Sequence, residues 1–465
     1  MGADSVVILE TSRGATRPRP AVRGMPKPAG VSEDSVALTF AERFGGQLLF
    51  CHSTGQWHCW DGFIWRADRT QRALDLVRSL AREMADAADA KPNAPSRRRN
   101  FVTGAEALAR ADQSLAVTAD GWDSDPFKLG TPDGVVDLRT GRLGRADPAD
   151  RITKSTGVAP ADVADCPQFL TFLDQTFKGD AGVVRFNQQF LGYSLTADIS
   201  EHALYFGVGS GLNGKGVLAN VVQNVLGDYA LSAPMDTFTA SRSDKHPTEL
   251  AMLRGARFVT ASETEEGKAW AEARIKQLTG GDVIQARFMR QDFFSFRPAF
   301  KLMIFGNHKP VLHNVDDAAR RRFNIIPFDY RPAKPDPDLG EKLAAEAPAI
   351  LRWMIEGCLD WQANGLVRPA SVRLATEGYF SDQDMFGQWL DDECDADPGN
   401  THKWEPSAVL FKSWRAYAES AGETAGSSKA FAEHMRRRGF DTHKGAKGVR
   451  QIRGVCLRSR VAGGG

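Results

Sequence analysis

Residues 203–216 read ALYFGVGSGLNGKG, and this stretch decides the fold class of the chain. The apolar start predicts a buried strand, the glycine-rich run from 209 predicts a tight loop, and the apolar spacing over 214–226 predicts a helix. In a strand–loop–helix unit of this kind, backbone N–H groups and the helix N-terminus surround a phosphate, and a lysine reaches the β- and γ-phosphate oxygens. The stretch therefore predicts a nucleotide-binding phosphate loop with Lys215 as its lysine.

Eight consecutive residues of this loop are the predicted ATP contacts: Gly209, Ser210, Gly211, Leu212, Asn213, Gly214, Lys215 and Gly216. The position after the lysine of a phosphate loop usually carries a Ser or Thr whose hydroxyl binds Mg²⁺. This chain has Gly216 there, which leaves three alternatives open. Water fills that coordination site, another hydroxyl fills it, or downstream carboxylates hold the metal.

Two further apolar strands, predicted at 257–260 and 301–305, alternate with predicted helices. This alternation predicts an α/β core around a parallel sheet. Glu263 and Glu265 follow the first of these strands, and Asn307 follows the second. Because the carboxyl ends of parallel strands share one edge of the sheet, these side chains are predicted to face the phosphate loop. One carboxylate, with Glu263 as the candidate, would hold Mg²⁺, the other would polarise the attacking water, and Asn307 would orient that water. The alternative is a solvated acidic strand end.

An arginine cluster at 320–322 precedes another strand-like run, Ile325 to Phe328. Arg321 and Arg322 are the candidates for an arginine that reaches across a subunit boundary and stabilises transition-state charge. The alternative is a solvated basic helix end.

The overall charge excludes a uniformly basic nucleic-acid binder, because 59 Lys and Arg residues oppose 58 Asp and Glu residues among 465. Any affinity for DNA or RNA must therefore come from local patches. Six scattered cysteines favour a reducing compartment. No apolar run is long enough for a membrane helix, and the N-terminus lacks the pattern of a signal peptide. We therefore expect a cytoplasmic protein with no membrane partner.

The order of these motifs resembles the superfamily-3 helicases, specifically the phage and plasmid primase-helicase family that is related to the poxvirus D5-type NTPases. The string most specific to that family is KQLTGGD at 276–282, because general phosphate-loop NTPases lack it. The other matching pieces are the loop at 209–217, ASETEEG at 261–267, GNHKP at 306–310, the pair Arg321-Arg322, WDG at 60–62, TPDG at 131–134 and LGY at 191–193. The resemblance thus covers most of residues 40–450.

The resemblance implies an AAA+-like ATPase that binds ATP and Mg²⁺, assembles as a homo-oligomeric ring, typically a hexamer, and moves along single-stranded DNA in a central channel. Lys215 would contact phosphate, Glu263 and Glu265 would serve Mg²⁺ and water activation, Asn307 would be the sensor, and Arg321 or Arg322 the trans-acting finger. The family also places a β-hairpin facing the channel, and residues 283–288 and 293–296 flank a polar tip that suits it. The candidate DNA contacts are Lys276, Arg287, Arg290 and Lys309.

The predicted organisation has an α/β ATPase core between an α+β N-terminal domain and a winged-helix-like C-terminal domain. The predicted boundaries are a disordered tail at 1–35, the N-terminal domain at 36–165, the ATPase domain at 166–335 with a helical lead-in over 166–200, a helical lid or linker at 336–380, and the C-terminal domain at 381–465. Ten Lys and Arg residues against two acidic ones over 429–460 suit duplex DNA binding by this last domain, although a solvated basic terminus is the alternative.

The resulting expectation is an ATP-dependent DNA helicase of phage, prophage or plasmid replication. Two alternatives stay open, a DNA-dependent ATPase that loads or remodels an origin complex, and a metabolic phosphate-loop NTPase. A primase polymerising site needs a carboxylate pair on a strand. The best local pair, Asp123 and Asp125, sits in a Gly- and Pro-flanked segment that does not read as a strand. We therefore expect any primase to be a separate partner.

Overall fold

The computed structural model describes residues 31–240, 247–262, 268–288, 292–312, 317–421, 424–445 and 448–458. The chain divides into two compact units. One contains the residues up to Trp60 together with Arg66–Ala119, and the other contains Asp61–Trp65 and the chain from Asp120 onward.

The N-terminal unit is a small α+β structure with an apolar core that includes Phe40, Trp57 and Val77. Strand β1 forms an antiparallel hairpin with β2 and pairs in parallel with β4. The elements of this region are α1 (Glu33–Phe44), β1 (Leu48–Cys51), β2 (Gln56–Trp60), β3 (Trp65–Ala67), α2 (Arg72–Ala87), α3 (Arg99–Ala111) and β4 (Ala116–Val117).

Helix α1 begins inside the segment 1–35 that the sequence analysis assigned to a disordered tail. Its N-terminus is closed by a reciprocal pair of hydrogen bonds, in which Ser35 N donates to Ser32 Oγ at 3.1 Å and Ser32 N donates to Ser35 Oγ at 2.9 Å. Such a capping box satisfies backbone donors that a helix end otherwise leaves without partners. The folded part of the N-terminal unit thus starts a few residues before the predicted boundary, and residues 1–30 lie outside the described chain.

The larger unit contains many helices and several small sheets around one parallel sheet. Its helices are α4 (Pro167–Thr176), α5 (Ala181–Tyr193), α6 (Lys215–Leu226), α7 (Pro247–Ala251), α8 (Glu272–Gly280), α9 (Asp317–Arg322), α10 (Leu339–Ala345), α11 (Ala347–Asn364), α12 (Ala370–Gln383), α13 (Met385–Glu393), α14 (Ser407–Ser420) and α15 (Ser428–Arg437). Its strands are β5 (Lys128–Thr131), β6 (Gly134–Asp137), β7 (Arg142–Gly144), β8 (Leu204–Val208), β9 (Ala230–Ser232), β10 (Phe258–Ser262), β11 (Ile284–Ala286), β12 (Phe294–Phe296), β13 (Lys301–Gly306), β14 (Phe323–Pro327), β15 (Cys394–Ala396), β16 (Trp404–Pro406), β17 (Thr442–Lys444), β18 (Arg450–Arg453) and β19 (Val455–Leu457).

The central sheet has the strand order β14-β8-β13-β10-β9, and each adjacent pair is parallel. Side chains of its strands alternate between two apolar clusters. Tyr205 and Met303 point into one, whereas Phe206 and Ile304 point into the other. Both faces of the sheet are therefore covered, as parallel sheets require. The predicted α/β class with a parallel sheet is confirmed.

Helices α5 and α11 cover one face of this sheet and approach each other closely. A Cβ at Gly192 would collide with the backbone of α11 at Gly357 and Cys358, and a Cβ at Gly357 would collide with the backbone of α5 at Gln188. The two glycines therefore permit backbone-to-backbone contact between these helices.

The C-terminal region combines α13, α14 and α15 with two small sheets, one of order β16-β18-β17 and one pairing β15 with β19. The winged-helix-like assignment remains a prediction. None of the described helices is long and apolar enough to cross a membrane.

Candidate active site

The predicted phosphate loop leaves the carboxyl end of β8, which lies between β14 and β13 in the sheet. Hydrogen bonds to both flanking segments hold the start of the loop. Gly209 N donates to Gly306 O at 3.3 Å, and Phe328 N donates to Val208 O at 2.7 Å. The position of the loop is therefore set by the sheet edge itself.

At two positions of the loop, the surrounding atoms leave no room for a side chain, so glycine is required there. Gly214 has φ +88°, and a Cβ there would lie 2.9 Å from the ring of Phe172 in α4. At Gly209 a Cβ would collide with the carbonyl oxygen of Phe328. By contrast, a Cβ at Gly216 would meet nothing within 4 Å. The missing hydroxyl at Gly216 is thus not imposed by lack of space.

The tip of the loop combines a strained residue with an anchored one. Leu212 has φ +63°, a conformation that bulky residues seldom adopt, and its side chain is 71% exposed. Backbone strain of this kind is concentrated at functional sites. Asn213 is buried, and its Nδ2 donates to the carbonyl oxygen of Phe328 at 2.6 Å. The side chain of Asn213 therefore fixes the loop to the segment after β14.

Lys215 is the first residue of α6, and its side chain is buried. Its Nζ donates to Asn307 Oδ1 at 3.2 Å and to the carbonyl oxygen of Gly209. Burial lowers the pKa of Lys215 below the usual lysine value. Two residues predicted from separate motifs, Lys215 and Asn307, are thus in direct contact at the carboxyl edge of the sheet.

This arrangement suits an anion such as a phosphate. Both recorded partners of the Lys215 ammonium within the described ranges are neutral oxygens, so no described carboxylate pairs with its charge. The N-terminus of α6 adds the positive end of a helix dipole at the same point. The residues present therefore fit the phosphate groups of a nucleotide.

The predicted metal ligand Glu263 and its neighbour Glu265 lie outside the described residues. Strand β10, which precedes them, ends at Ser262, and Ser262 pairs in register with Phe305 of β13. This strand therefore ends at the same sheet edge as Asn307. In the part of the chain that the structure describes, no group of three or more His, Cys, Asp or Glu residues is placed to hold a metal ion.

The candidate finger residues differ in their surroundings. Arg322 is half-buried, with Nε donating to Thr279 Oγ1 at 3.1 Å and Nη1 donating to Ala318 O at 2.8 Å. Arg321 is exposed, and its Nε donates only weakly within its own helix, to Asp317 O at 3.3 Å. Of the two, Arg321 is therefore the one with a guanidinium facing solvent.

The predicted hairpin is confirmed as the antiparallel pair β11 and β12, with Ile284 opposite Phe296 and Ala286 opposite Phe294. Arg287 is exposed just after β11, whereas Arg290 lies outside the described residues. Lys276 is half-buried on α8. Lys309 is exposed after β13, with its Nζ 5.8 Å from the ring centre of Tyr379. The described candidates for DNA contact thus occupy three separate segments.

The carboxylate pair considered for a primase site is in a loop and has structural partners. Asp123 Oδ1 accepts a hydrogen bond from Thr153 N at 2.9 Å. Asp125 accepts two from Arg139, at 2.9 and 3.1 Å. Both carboxylates therefore stabilise the segments around β5 and β6.

Sequence reasoning missed two contributors to the site. The carbonyl oxygen of Phe328 anchors Asn213, and the ring of Phe172 packs beneath Gly214. A main-chain carbonyl leaves no signal in residue type. Phe172 falls in the predicted helical lead-in at 166–200, where an apolar residue indicates only core packing.

Two family models match the chain. The model described as "D5 N terminal like" matches residues 37–178, and the model described as "Family of unknown function (DUF5906)" matches residues 208–322. A protein of Acanthamoeba polyphaga mimivirus named "Putative helicase L207/L206" is 27% identical over 303 residues, which cover 58% of this chain and 31% of that protein. These matches support a relationship between this chain and the D5-type primase-helicase family.

Other relatives of this chain carry similar names. "Putative helicase 022R" of Frog virus 3 is 24% identical over 303 residues, which cover 60% of this chain and 30% of that protein. "Putative primase C962R" of African swine fever virus is 24% identical over 136 residues, which cover 29% of this chain and 14% of that protein. The matched part thus spans less than a third of each of these relatives.

The chain also has a fold similar to a solved structure, the apo A form of the C-terminal region of NrS-1. The TM-score is 0.51 at 12% sequence identity, and the match covers 90% of this chain and 98% of that one. At this identity the similarity concerns the fold alone.

Proposed function

We propose that this chain is an ATP-dependent DNA helicase that acts in the replication of a phage, prophage, plasmid or viral genome. The observation that carries the proposal is the contact between Lys215 and Asn307 at the carboxyl edge of the parallel sheet, beside a glycine-rich loop that opens a helix. Similarity to relatives that are named as putative helicases and putative primases supports the link to replication.

In the proposed reaction, the γ-phosphate of ATP lies over the loop, and its β- and γ-oxygens replace the carbonyl of Gly209 as partners of the Lys215 ammonium. Asn307, released from the lysine, orients the attacking water. Glu265 polarises that water, and Glu263 is the proposed Mg²⁺ ligand. Bound Mg²⁺ would neutralise charge on the transferring phosphate. Each of these groups would supply a charge or a hydrogen bond at the γ-phosphate or at the attacking water.

We further propose that the chain works as a homo-oligomeric ring, a hexamer, with single-stranded DNA in its channel. In a ring, an exposed arginine from one subunit reaches the ATP of the next. The exposure of Arg321 and the internal hydrogen bonds of Arg322 favour Arg321 for this role. A ring also explains how a chain of net charge +1 binds DNA, because several small basic loops converge on one strand.

The hairpin β11–β12 is the proposed moving contact with the DNA strand, with Arg287 after β11 and Arg290, which lies between the two strands in the sequence, as the proposed phosphate contacts. Lys276 and Lys309 are further proposed contacts. The basic C-terminal region is proposed to bind duplex DNA beside the ring, and a separate primase is a proposed partner.

A strand-displacement assay on a forked duplex tests this function. The wild-type protein should separate the strands with ATP, should fail with a slowly hydrolysed analogue, and should have the mass of a ring by light scattering. Lys215→Ala is the matched control and should displace no strand. Hydrolysis of ATP without any displacement, on tails of either polarity, would instead favour a role in origin remodelling.

A further inference from the structure

The hairpin β11–β12 carries an unusual set of exposed aromatic rings. Phe293 is 60% exposed and Phe288 is 37% exposed, although both are large apolar residues. The guanidinium of Arg287 lies over the Phe293 ring, 4.8 Å from its centre. We call Arg287, Phe288, Phe293 and Phe294 the hairpin platform.

The platform is distinct from the part of the hairpin that builds the core. Ile284 and Ala286 of β11 are buried, and Ile284 belongs to the apolar cluster under the sheet. Phe296 packs against the same cluster from β12. Packing in the core therefore explains why these positions are apolar. It does not explain why an exposed position carries Phe293.

The rings of the platform are held in fixed orientations. Phe288 stacks on Phe294 with ring centres 5.5 Å apart and an interplanar angle of 26°. Arg254, which follows α7 and is not part of the hairpin, lies 5.0 Å from the centre of the Phe294 ring. Cross-strand pairing of Phe294 with Ala286 fixes the base of the platform. The rings of Phe288 and Phe294 are thus packed against each other, and the guanidinium of Arg287 lies over Phe293 beside them.

The charge around the platform favours a polyanion. Arg254 and Arg287 contact its rings directly, and Arg297 lies on the β12 side with its Nη1 donating to Gly281 O at 3.2 Å. The described acidic residues that flank the hairpin are Asp282 and Asp292. Surfaces that bind single-stranded nucleic acid combine aromatic rings with arginines, because bases stack on the rings while phosphates contact the cations.

We propose that the hairpin platform binds unpaired DNA bases by stacking on Phe293, with Arg287 turned toward the adjacent phosphate. This inference rests on the proposed function and goes beyond it, because it assigns part of the affinity to bases and not to the backbone. Every base has an aromatic face, so stacking of this kind tolerates any sequence. Such a contact suits a protein that must move along the whole of a genome.

The test compares two oligonucleotides of equal length and equal phosphate number, one of thymidines and one of abasic residues. Wild-type protein should bind the thymidine strand about fivefold to 150-fold more tightly, the range for one stacked base. Phe293→Leu should bind both strands with the same affinity, whereas Phe293→Trp should keep the preference. Phe63→Leu, at an exposed phenylalanine outside the hairpin, is the matched control and should behave as wild type.

Three outcomes would overturn the inference. Equal binding of both strands by the wild type would mean that the protein contacts only the DNA backbone. The proposed helicase function would then still stand. Loss of ring mass in Phe293→Leu with the base preference retained would mean that a second copy of the chain covers Phe293. Binding of neither strand, together with ATP hydrolysis that DNA does not change, would remove the proposed function as well.

Discussion

The ammonium of Lys215 illustrates how the site is prepared for an anion. Its recorded partners in the described chain, Gly209 O and Asn307 Oδ1, are neutral oxygens. Removing a cation from water without a counter-charge is unfavourable, and the burial of Lys215 accordingly lowers its pKa. A phosphate bound here would offset this cost, so the proposed nucleotide and the charge of the lysine would stabilise each other.

The lowered pKa of Lys215 predicts a pH dependence. As pH rises through this pKa, the free protein loses the cation, so kcat/KM for ATP should fall at a pH below the usual lysine range. Bound phosphate raises the pKa again, so kcat should persist to higher pH than kcat/KM. Lys215→Arg, whose guanidinium stays protonated, should lack this alkaline limb in whatever activity it retains. A wild-type kcat/KM that stays flat up to the ordinary lysine pKa would contradict the account.

Gly216 predicts a gain from substitution. A Cβ at Gly216 meets nothing within 4 Å, so Gly216→Ser should raise the free energy of unfolding by about 0.5 kcal/mol through helix propensity. The new hydroxyl should also lower the Mg²⁺ concentration for half-maximal ATP hydrolysis.

The matched control is Gly214→Ser, at φ +88° and against the ring of Phe172. Gly214→Ser should lower the free energy of unfolding by about 1–3 kcal/mol. Thermal unfolding of both variants checks the pair. Equal stabilities of the two variants would show that the loop geometry described above is wrong.

At the scale of elements, the contact between α5 and α11 depends on Gly192 and Gly357. Gly192→Ala should lower the free energy of unfolding by at least about 2 kcal/mol, because its Cβ collides with backbone that has little room to move. Gly378→Ala, at an exposed position in α12 with nothing within 4 Å, should instead raise it by about 1 kcal/mol. Denaturant unfolding of both variants checks the pair. A tolerated Gly192→Ala would mean that the helices pack further apart than described.

The sequence predicted the central elements well, because buried parallel strands are continuous apolar runs. Strands β8, β10 and β13 follow this rule, whereas β9 escaped prediction because it has three residues at the sheet edge. The helical lead-in predicted over 166–200 contains two helices, because Lys178 and Gly179 adopt positive φ and separate α4 from α5. Local breaks of this kind depend on tertiary packing more than on apolar spacing.

Some features of the candidate site could likewise be predicted from the sequence, and others could not. Lys215 and Asn307 could be predicted together because carboxyl ends of parallel strands meet at one edge. The choice between Arg321 and Arg322 could not be made from sequence, since it depends on Thr279 of α8 receiving Arg322. The anchoring of the loop by Phe328 O was equally hidden, because any residue supplies a carbonyl.

At the scale of the whole molecule, the proposed ring predicts that two inactive variants restore each other. Arg321→Ala should lower ATP turnover by about 10³-fold or more while leaving ATP binding unchanged. Lys215→Ala should be inactive for a different reason, since it keeps the finger but lacks the phosphate contact. Mixed rings then contain some sites with both residues intact, so turnover should rise on mixing.

Arg322→Ala is the control for this experiment. It removes hydrogen bonds to Thr279 and Ala318, so it should lower stability by about 1 kcal/mol. Mixing Arg322→Ala with Lys215→Ala should not raise ATP turnover above the value expected when wild-type protein is diluted with Lys215→Ala. If Arg321→Ala and Lys215→Ala show no recovery on mixing, Arg321 does not act across a subunit boundary.

The most direct test of the central claim is ATP turnover with and without single-stranded DNA, in wild-type protein and in Lys215→Ala. The account predicts strong stimulation by DNA in the wild type, and a loss of about 10²- to 10³-fold in Lys215→Ala with an unchanged unfolding temperature. Near-normal turnover in Lys215→Ala, or wild-type turnover that DNA leaves unchanged, would contradict it.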